Sequence, residues 1–152
     1  MKIKKTYSEH ETEALGYELG LLLKNEPKIV ILLDGELGSG KTTFTKGLAR
    51  AIGVIDIVNS PTYTIMKKYK TPDRLKVLYH LDLYRLEGVG SDFDLEEYID
   101  GFGMIVVEWP YQADELLPKD YLLIQIKKLG EMEREFTLTC VGFPCKRAVH
   151  FI

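Results

Sequence analysis

Apolar and polar positions change period along this chain, and each change marks an element. Behind Ser8, leucines stand at 15, 19, 22 and 23, the spacing of one helix face, and predict an amphipathic helix over residues 9–24. Ser8 followed by Glu11 has the spacing of a capping box, and Pro27 marks the turn out. Residues 28–34, KIVILLD, are an unbroken apolar run of strand length, as a strand covered on both faces requires. A glycine-rich turn follows, then a helix from Lys41 to about Ile52 with Gly53 as its C-cap. Val77–Leu83 alternates and reads as a strand, residues 92–100 as a short acidic helix ended by Gly101, and residues 104–108, MIVVE, as a second buried strand. Tyr121–Lys127 and Glu133–Cys140 predict a hairpin, and Arg147–Ile152 reads as an added last strand. The front half is expected to be parallel α/β and the back half antiparallel. The fold class expected is α/β, one domain over residues 1–152, with a mixed parallel and antiparallel sheet flanked by helices.

Composition narrows the class. A chain of 152 residues has room for one core and not for two, and its 45% hydrophobic and 28% charged residues are those of an ordinary globular protein. No apolar run approaches the roughly 20 residues that cross a bilayer. The lysines of the N-terminal MKIKKTYSEHE have no apolar stretch behind them, so a secretory signal is not expected and the cytoplasm is. A net charge of −3 argues against holding a long nucleic acid unaided, because such affinity comes from neutralising phosphates. Lys67, Lys68 and Lys70 form a local basic patch, read first as solvated surface. Cys140 and Cys145 are expected to be reduced thiols, and no further Cys or closely spaced His completes a zinc site.

The turn itself carries chemistry. Gly35-Glu36-Leu37-Gly38-Ser39-Gly40-Lys41-Thr42 fits G-x-x-x-x-G-K-[ST] without a mismatch, between a buried strand and a helix. Glycines let successive N–H groups point inward at phosphate oxygens, and the helix start adds its positive dipole end. The Lys41 ammonium would reach the β- and γ-phosphates, and the Thr42 hydroxyl is a hard ligand for Mg²⁺. A packing turn alone does not explain the lysine. These residues predict a P-loop that binds a nucleoside triphosphate with Mg²⁺.

A P-loop enzyme also needs a carboxylate on a neighbouring strand, for the metal's water shell or the attacking water. Asp34 directly precedes the loop, where the chain turns away. Asp82, in His80-Leu-Asp82-Leu-Tyr84-Arg85, and Glu108, ending Ile105-Val-Val-Glu108, both terminate hydrophobic strands. Glu108 is favoured, since α/β folds place ligands at the carboxyl edge, although spacing alone does not choose between the two. Trp109 reads first as a core residue, with base stacking or a partner surface as alternatives. His80 is a general base or, more simply, a structural histidine. Arg85 reaches a phosphate or pairs with a nearby Asp.

Together these pieces resemble the bacterial TsaE (YjeE) family, the small P-loop ATPases of tRNA threonylcarbamoyladenosine synthesis. The resemblance runs through Glu11-Thr-Glu-Ala-Leu-Gly16, Leu33-Asp-Gly-Glu-Leu-Gly-Ser-Gly-Lys-Thr-Thr43, Val58-Asn-Ser-Pro-Thr-Tyr-Thr64, His80-Leu-Asp-Leu-Tyr-Arg-Leu86, Val107-Glu-Trp-Pro110 and Asp114-Glu-Leu-Leu-Pro118. It implies a P-loop NTPase fold and an ATPase that works with TsaB and TsaD, touching tRNA through that complex and no membrane. TsaD transfers the threonylcarbamoyl group to adenosine 37, and the ATPase supports repeated cycles. By match, residues 35–43, from Gly35 to Thr43, hold the phosphates, with Thr42 and Glu108 on the Mg²⁺ side. Ser60 and Thr62 fall in a switch-like loop, Asp82 and Tyr84 in the segment needed for activity, and Trp109 beside the site. Lys41, Asp82 and Glu108 are the expected catalytic residues. The choice of ATP rests on this resemblance, since no base-reading motif is present. Glu36 stands where the family more often has Asp, and the tail after Arg134 matches weakly.

Two other readings compete. A small-molecule kinase shares the P-loop start but needs an arginine-rich lid, and arginines here are scattered at 50, 74, 85, 134 and 147. A nucleotide-dependent binding module would keep Lys41 and Thr42 yet tolerate loss of Glu108.

Overall fold

An apolar strand followed by a glycine turn and a helix cannot stay at a sheet edge, and here it forms the middle. A computed structural model describes residues 1–61, 66–83, 102–109 and 117–152. The acidic helix expected over residues 92–100 lies outside the described residues. The elements are β1 (Lys2–Thr6), α1 (Glu9–Leu23), β2 (Lys28–Gly35), α2 (Lys41–Ile52), β3 (Met66–Lys70), β4 (Val77–Asp82), β5 (Gly103–Glu108), β6 (Tyr121–Lys128), β7 (Arg134–Val141) and α3 (Lys146–Phe151). Among the described residues the strands form one mixed sheet in the order β1-β7-β6-β2-β5-β4-β3. The expected elements of the front half keep their places to within a residue or two, and Gly53 caps α2 at φ 101°.

Parallel and antiparallel pairing divide by position in the sheet, not by halves of the chain. β4, β5, β2 and β6 run parallel at the centre, so β6 belongs with the front strands. The antiparallel pairs lie at the two sides, β3 on β4 and β6–β7–β1. Neither β1 nor β3 was expected as a strand.

The two faces have separate cores. Ile29, Ile31, Leu33, Leu78 and Val106 meet Leu19, Phe44 and Leu48 of the helices α1 and α2, with Phe136 stacked on Phe44 at 5.4 Å. On the opposite face Val30, Leu32, Leu81, Ile105 and Val107 pack together, with Trp109, Tyr121 and Leu123 against them. Both faces of β2 are therefore buried, which is why its sequence shows no alternation.

The far end corrects two expectations. Residues Lys146–Phe151 are a helix, not a strand. β1 already occupies the edge of β7, so no free ladder is left there. The Lys2 Nζ donates to His150 O at 3.0 Å and Lys4 Nζ to Ile152 O at 3.3 Å, cations at the carbonyl end of α3. Cys140 and Cys145 are not thiols: the reversal between β7 and α3 brings them together as a disulfide with Cα atoms 5.6 Å apart.

Helix α1 fixes where α2 sits, because the two touch backbone to backbone. A Cβ on Gly16 would lie 2.2 Å from Phe44 O, and one on Gly47 would lie 2.1 Å from Glu13 O. Replacing Gly47 by Ala improves helix propensity by about 1 kcal/mol. Overpacking against rigid backbone costs about 1–3 kcal/mol, and a contact this close belongs at the upper end. Gly47→Ala is thus expected to lower the urea midpoint at unchanged m-value; a raised midpoint would show that the helices separate freely.

Candidate functional site

Register decides what meets at the carboxyl edge of the sheet. Leu33 of β2 stands opposite Glu108 of β5, and Glu108 stands opposite Asp82 of β4. Asp82 and Glu108 end neighbouring strands side by side, only 3% and 2% exposed. β2 continues two residues further, through Asp34 to Gly35, into the loop that starts α2.

In that loop Gly38 and Gly40 take φ of 77° and 104°, where a side chain is strained. Gly40 is the N-cap of α2 and supplies no side-chain cap. The first-turn N–H groups of α2 therefore face the loop without a side-chain acceptor from their own cap, the arrangement that receives anions. Arg134, at the start of β7, braces this loop from outside. Its guanidinium donates to Gly38 O and Ser39 O, both at 3.1 Å, and to Gly130 O and Glu131 O in the β6–β7 turn, both at 3.0 Å. Sequence reasoning missed this role; the one available signal was an arginine at a strand start, and spacing does not reveal that β7 lies one strand away from the loop-bearing β2, across β6.

The Lys41 ammonium is folded inward. It donates to Gly35 O and to Glu36 O, the latter at 3.3 Å, and lies 4.2 Å from the centre of the Trp109 ring. Burial pushes its pKa below the ordinary 10.5, while Glu108, then Asp82 and Asp34, pull it back up. Trp109 holds φ at 56°, a strained value for a bulky residue, so the backbone after Glu108 is bent to bring that ring over the lysine. Glu108 has a further contact: its Oε2 meets Nε2 of the fully buried His80.

These groups surround one cavity of about 350 Å³. Leu37 to Thr43 form its floor, Ser60, Asp82, Glu108 and Trp109 one wall, and Glu131, Met132 and Arg134 another. Ser8, Glu9 and Thr12 complete it from the start of α1, a contribution the sequence did not reveal. The Ser8 hydroxyl accepts from Glu11 N at 3.1 Å, the expected cap, which fixes that end of α1 beside the cavity. Tyr69 of β3 holds the approach to Ser60, its hydroxyl accepting from Asn59 N at 3.3 Å.

The structure thus gathers Lys41, Thr42, Thr43, Ser60, Asp82, Glu108 and Trp109 around one space. Gly35 and Glu36 turn the chain beneath it, their carbonyls engaged by Lys41. Thr62, Tyr84 and Arg85 lie outside the described residues. Asp34 is not among the cavity's lining residues.

The family model described as "Threonylcarbamoyl adenosine biosynthesis protein TsaE" matches residues 6–136. The chain belongs to the TsaE family. It is 46% identical to the tRNA threonylcarbamoyladenosine biosynthesis protein TsaE of Bacillus subtilis, over 91% of this chain and 85% of that one. It is 42% identical to the protein of the same name from Aquifex aeolicus, over 84% of this chain and 88% of that one. Among solved structures, that of Bacillus subtilis YdiB superposes with a TM-score of 0.80 at 38% identity, covering 99% of this chain and 95% of the other. The TsaE match spans every residue lining the cavity, from Ser8 to Arg134, and stops short of the disulfide and α3.

Trp109 is the chain's one tryptophan, so its fluorescence reports the ammonium above it. With a lowered pKa, Lys41 loses its proton below 10.5, and the cation–π contact is lost as pH rises through that lowered value. The unfolded chain keeps the proton up to 10.5, so across that interval this group's contribution to stability rises with pH. A fluorescence titration with its midpoint below 10.5, absent from Lys41→Met, is expected; an identical titration in that variant would refute the contact.

Proposed function

We propose that this chain is the Mg²⁺-dependent ATPase of tRNA threonylcarbamoyladenosine synthesis, acting with TsaB and TsaD to support repeated cycles of that modification. The observation that carries the reading is the P-loop lysine and two buried strand-end carboxylates meeting in one cavity, in a chain of the TsaE family.

The division of labour follows from the chemistry. N–H groups of residues 38–43 and the start of α2 receive the phosphates, and Lys41 leaves the Gly35 and Glu36 carbonyls to bind them. The donor set suits Mg²⁺, which takes one or two carboxylates with waters and phosphate oxygens in place of an all-protein cage. Among the described residues no group of three or more His, Cys, Asp or Glu forms such a cage. Thr42, with Asp82 or Glu108, would hold the ion, which would neutralise charge developing on the transferred phosphoryl group. Glu108 orients the attacking water, and Ser60, with Thr62, senses the γ-phosphate. A loop ordered by that phosphate and released on hydrolysis couples turnover to release from the partner proteins. The protein works in the cytoplasm and meets tRNA only through the complex.

The test is Mg²⁺-dependent ATP hydrolysis by the purified chain, alone and with TsaB and TsaD. Partner-stimulated turnover is expected, falling about 100-fold or more in Glu108→Ala with ATP affinity kept, and in Lys41→Ala with affinity lost. Turnover that ignores the partners and requires a small phosphate acceptor would replace this reading with a kinase. Binding without turnover, indifferent to Glu108→Ala, would replace it with a binding module.

A further inference from the structure

The contact between His80 and Glu108 crosses from one strand to the next on the diagonal. His80 stands opposite Val106, and Glu108 is two residues further along β5, so both side chains project from the same face. Toward the centre of the sheet the neighbours at His80's level are aliphatic, Val106 and then Ile31, with Leu78 in the same helix-side core, while Lys67 of β3 stands opposite on the outer side. A residue serving packing alone at such a position would be aliphatic too. Instead the chain buries an imidazole completely, spends Nε2 on the Glu108 carboxylate, and leaves Nδ1 buried without a partner among the described residues. A buried unpaired nitrogen costs stability, so the ring's presence calls for a use of the nitrogen that is paired.

We propose that His80 is the positioning residue for Glu108. A carboxylate oxygen accepts, so Nε2 carries the hydrogen, and the bare Nδ1 is an acceptor, which is cheaper to leave unpaired than a buried N–H. The bond fixes the carboxylate's rotation. With Oε2 held by the ring, Oε1 is the oxygen left for water at the cavity that Glu108 lines. Unheld, the carboxylate would be drawn toward the Lys41 ammonium, on which Glu108 acts more strongly than Asp82 or Asp34. His80 keeps Glu108 aligned and Lys41 available for phosphate. His80 touches no nucleotide; it acts through Glu108. The inference rests on the ATPase reading above and assigns a cause to the orientation of its water-side carboxylate.

Two variants separate positioning from packing. His80→Leu keeps bulk and removes the bond; His80→Gln returns an amide N–H near the place of Nε2. Steady-state hydrolysis is expected to show kcat about 10- to 100-fold lower in His80→Leu, with ATP affinity unchanged, and most of the loss restored in His80→Gln. A readout independent of turnover is the ¹H–¹⁵N spectrum of the imidazole rings in nucleotide-free protein. His10 and His150 are exposed, so the buried ring is readily distinguished. It is expected to show hydrogen on Nε2 and to shift in Glu108→Gln.

Unchanged kcat in His80→Leu overturns the proposal, as does a parallel fall of kcat, affinity and unfolding midpoint in both variants, which is the signature of packing. A ring spectrum indifferent to Glu108→Gln overturns it as well. If the wild type hydrolyses ATP while His80→Leu does so equally well, this inference fails alone. If the wild type hydrolyses none under any condition, the ATPase reading fails and the positioning role is overturned with it, whatever the ring spectrum shows.

Discussion

Everything at the site depends on one register, the line Leu33–Glu108–Asp82 across three parallel strands. Parallel pairing points the carboxyl ends the same way, and the register makes them end at the same level. A shift of one residue in β5 would turn Glu108 to the opposite face, where Val107 and Ile105 now pack, and deliver an apolar side chain to the cavity. The two faces differ in what covers them, so the apolar sequence of β5 resists that shift. The core that selects the register also aligns the carboxylates.

Holding α2 is the second requirement, because the loop is only as well placed as the helix it enters. The backbone contact at Gly16 and Gly47 sets α2 against α1, and the hydroxyl pair of Thr6 and Thr12, 2.7 Å apart, ties α1 to β1. Arg134 reaches the loop's carbonyls from the other side. The glycine-rich loop is therefore gripped from α1, from the β6–β7 hairpin and from its own helix. Such support is what keeps the positive φ of Gly38 and Gly40, which glycine permits, and the strained one of Trp109 in place.

Sequence pattern revealed the parts whose signal is local. The loop, both long helices, β2 and β5 have it in unbroken apolar runs, helical spacing or fixed motif positions. The edge strands do not. β1 reads KIKKT and β3 reads MKKYK, and lysines at sheet edges guard against pairing with other chains. Those same lysines made β3 look like a basic surface patch. In β1 the pattern is even inverted, with Ile3 exposed and Lys2 and Lys4 half-buried against the carbonyls of α3. The disulfide, Arg134's brace and the His80–Glu108 bond each join residues through a turn or between strands, and single-sequence spacing carries no record of such encounters. Where the reading left Asp82 and Glu108 undecided, the register shows why: they are neighbours.

Their adjacency also bears on what the cavity accepts. Two buried carboxylates side by side, with Asp34 nearby, raise the local negative potential that Lys41 meets, and the ammonium already spends hydrogen bonds on loop carbonyls. Arg134 is engaged with carbonyls too. A polyphosphate entering without a cation would bring its own negative charge against those carboxylates, at short range and with little water to screen it. A divalent ion entering with the polyphosphate reverses that balance, turning the carboxylates from repulsive neighbours into attractive ones. Acidity that discourages a bare anion is thus suited to a metal–nucleotide complex, and the bond that restrains one carboxylate limits how far that acidity can rearrange to pair with Lys41 instead.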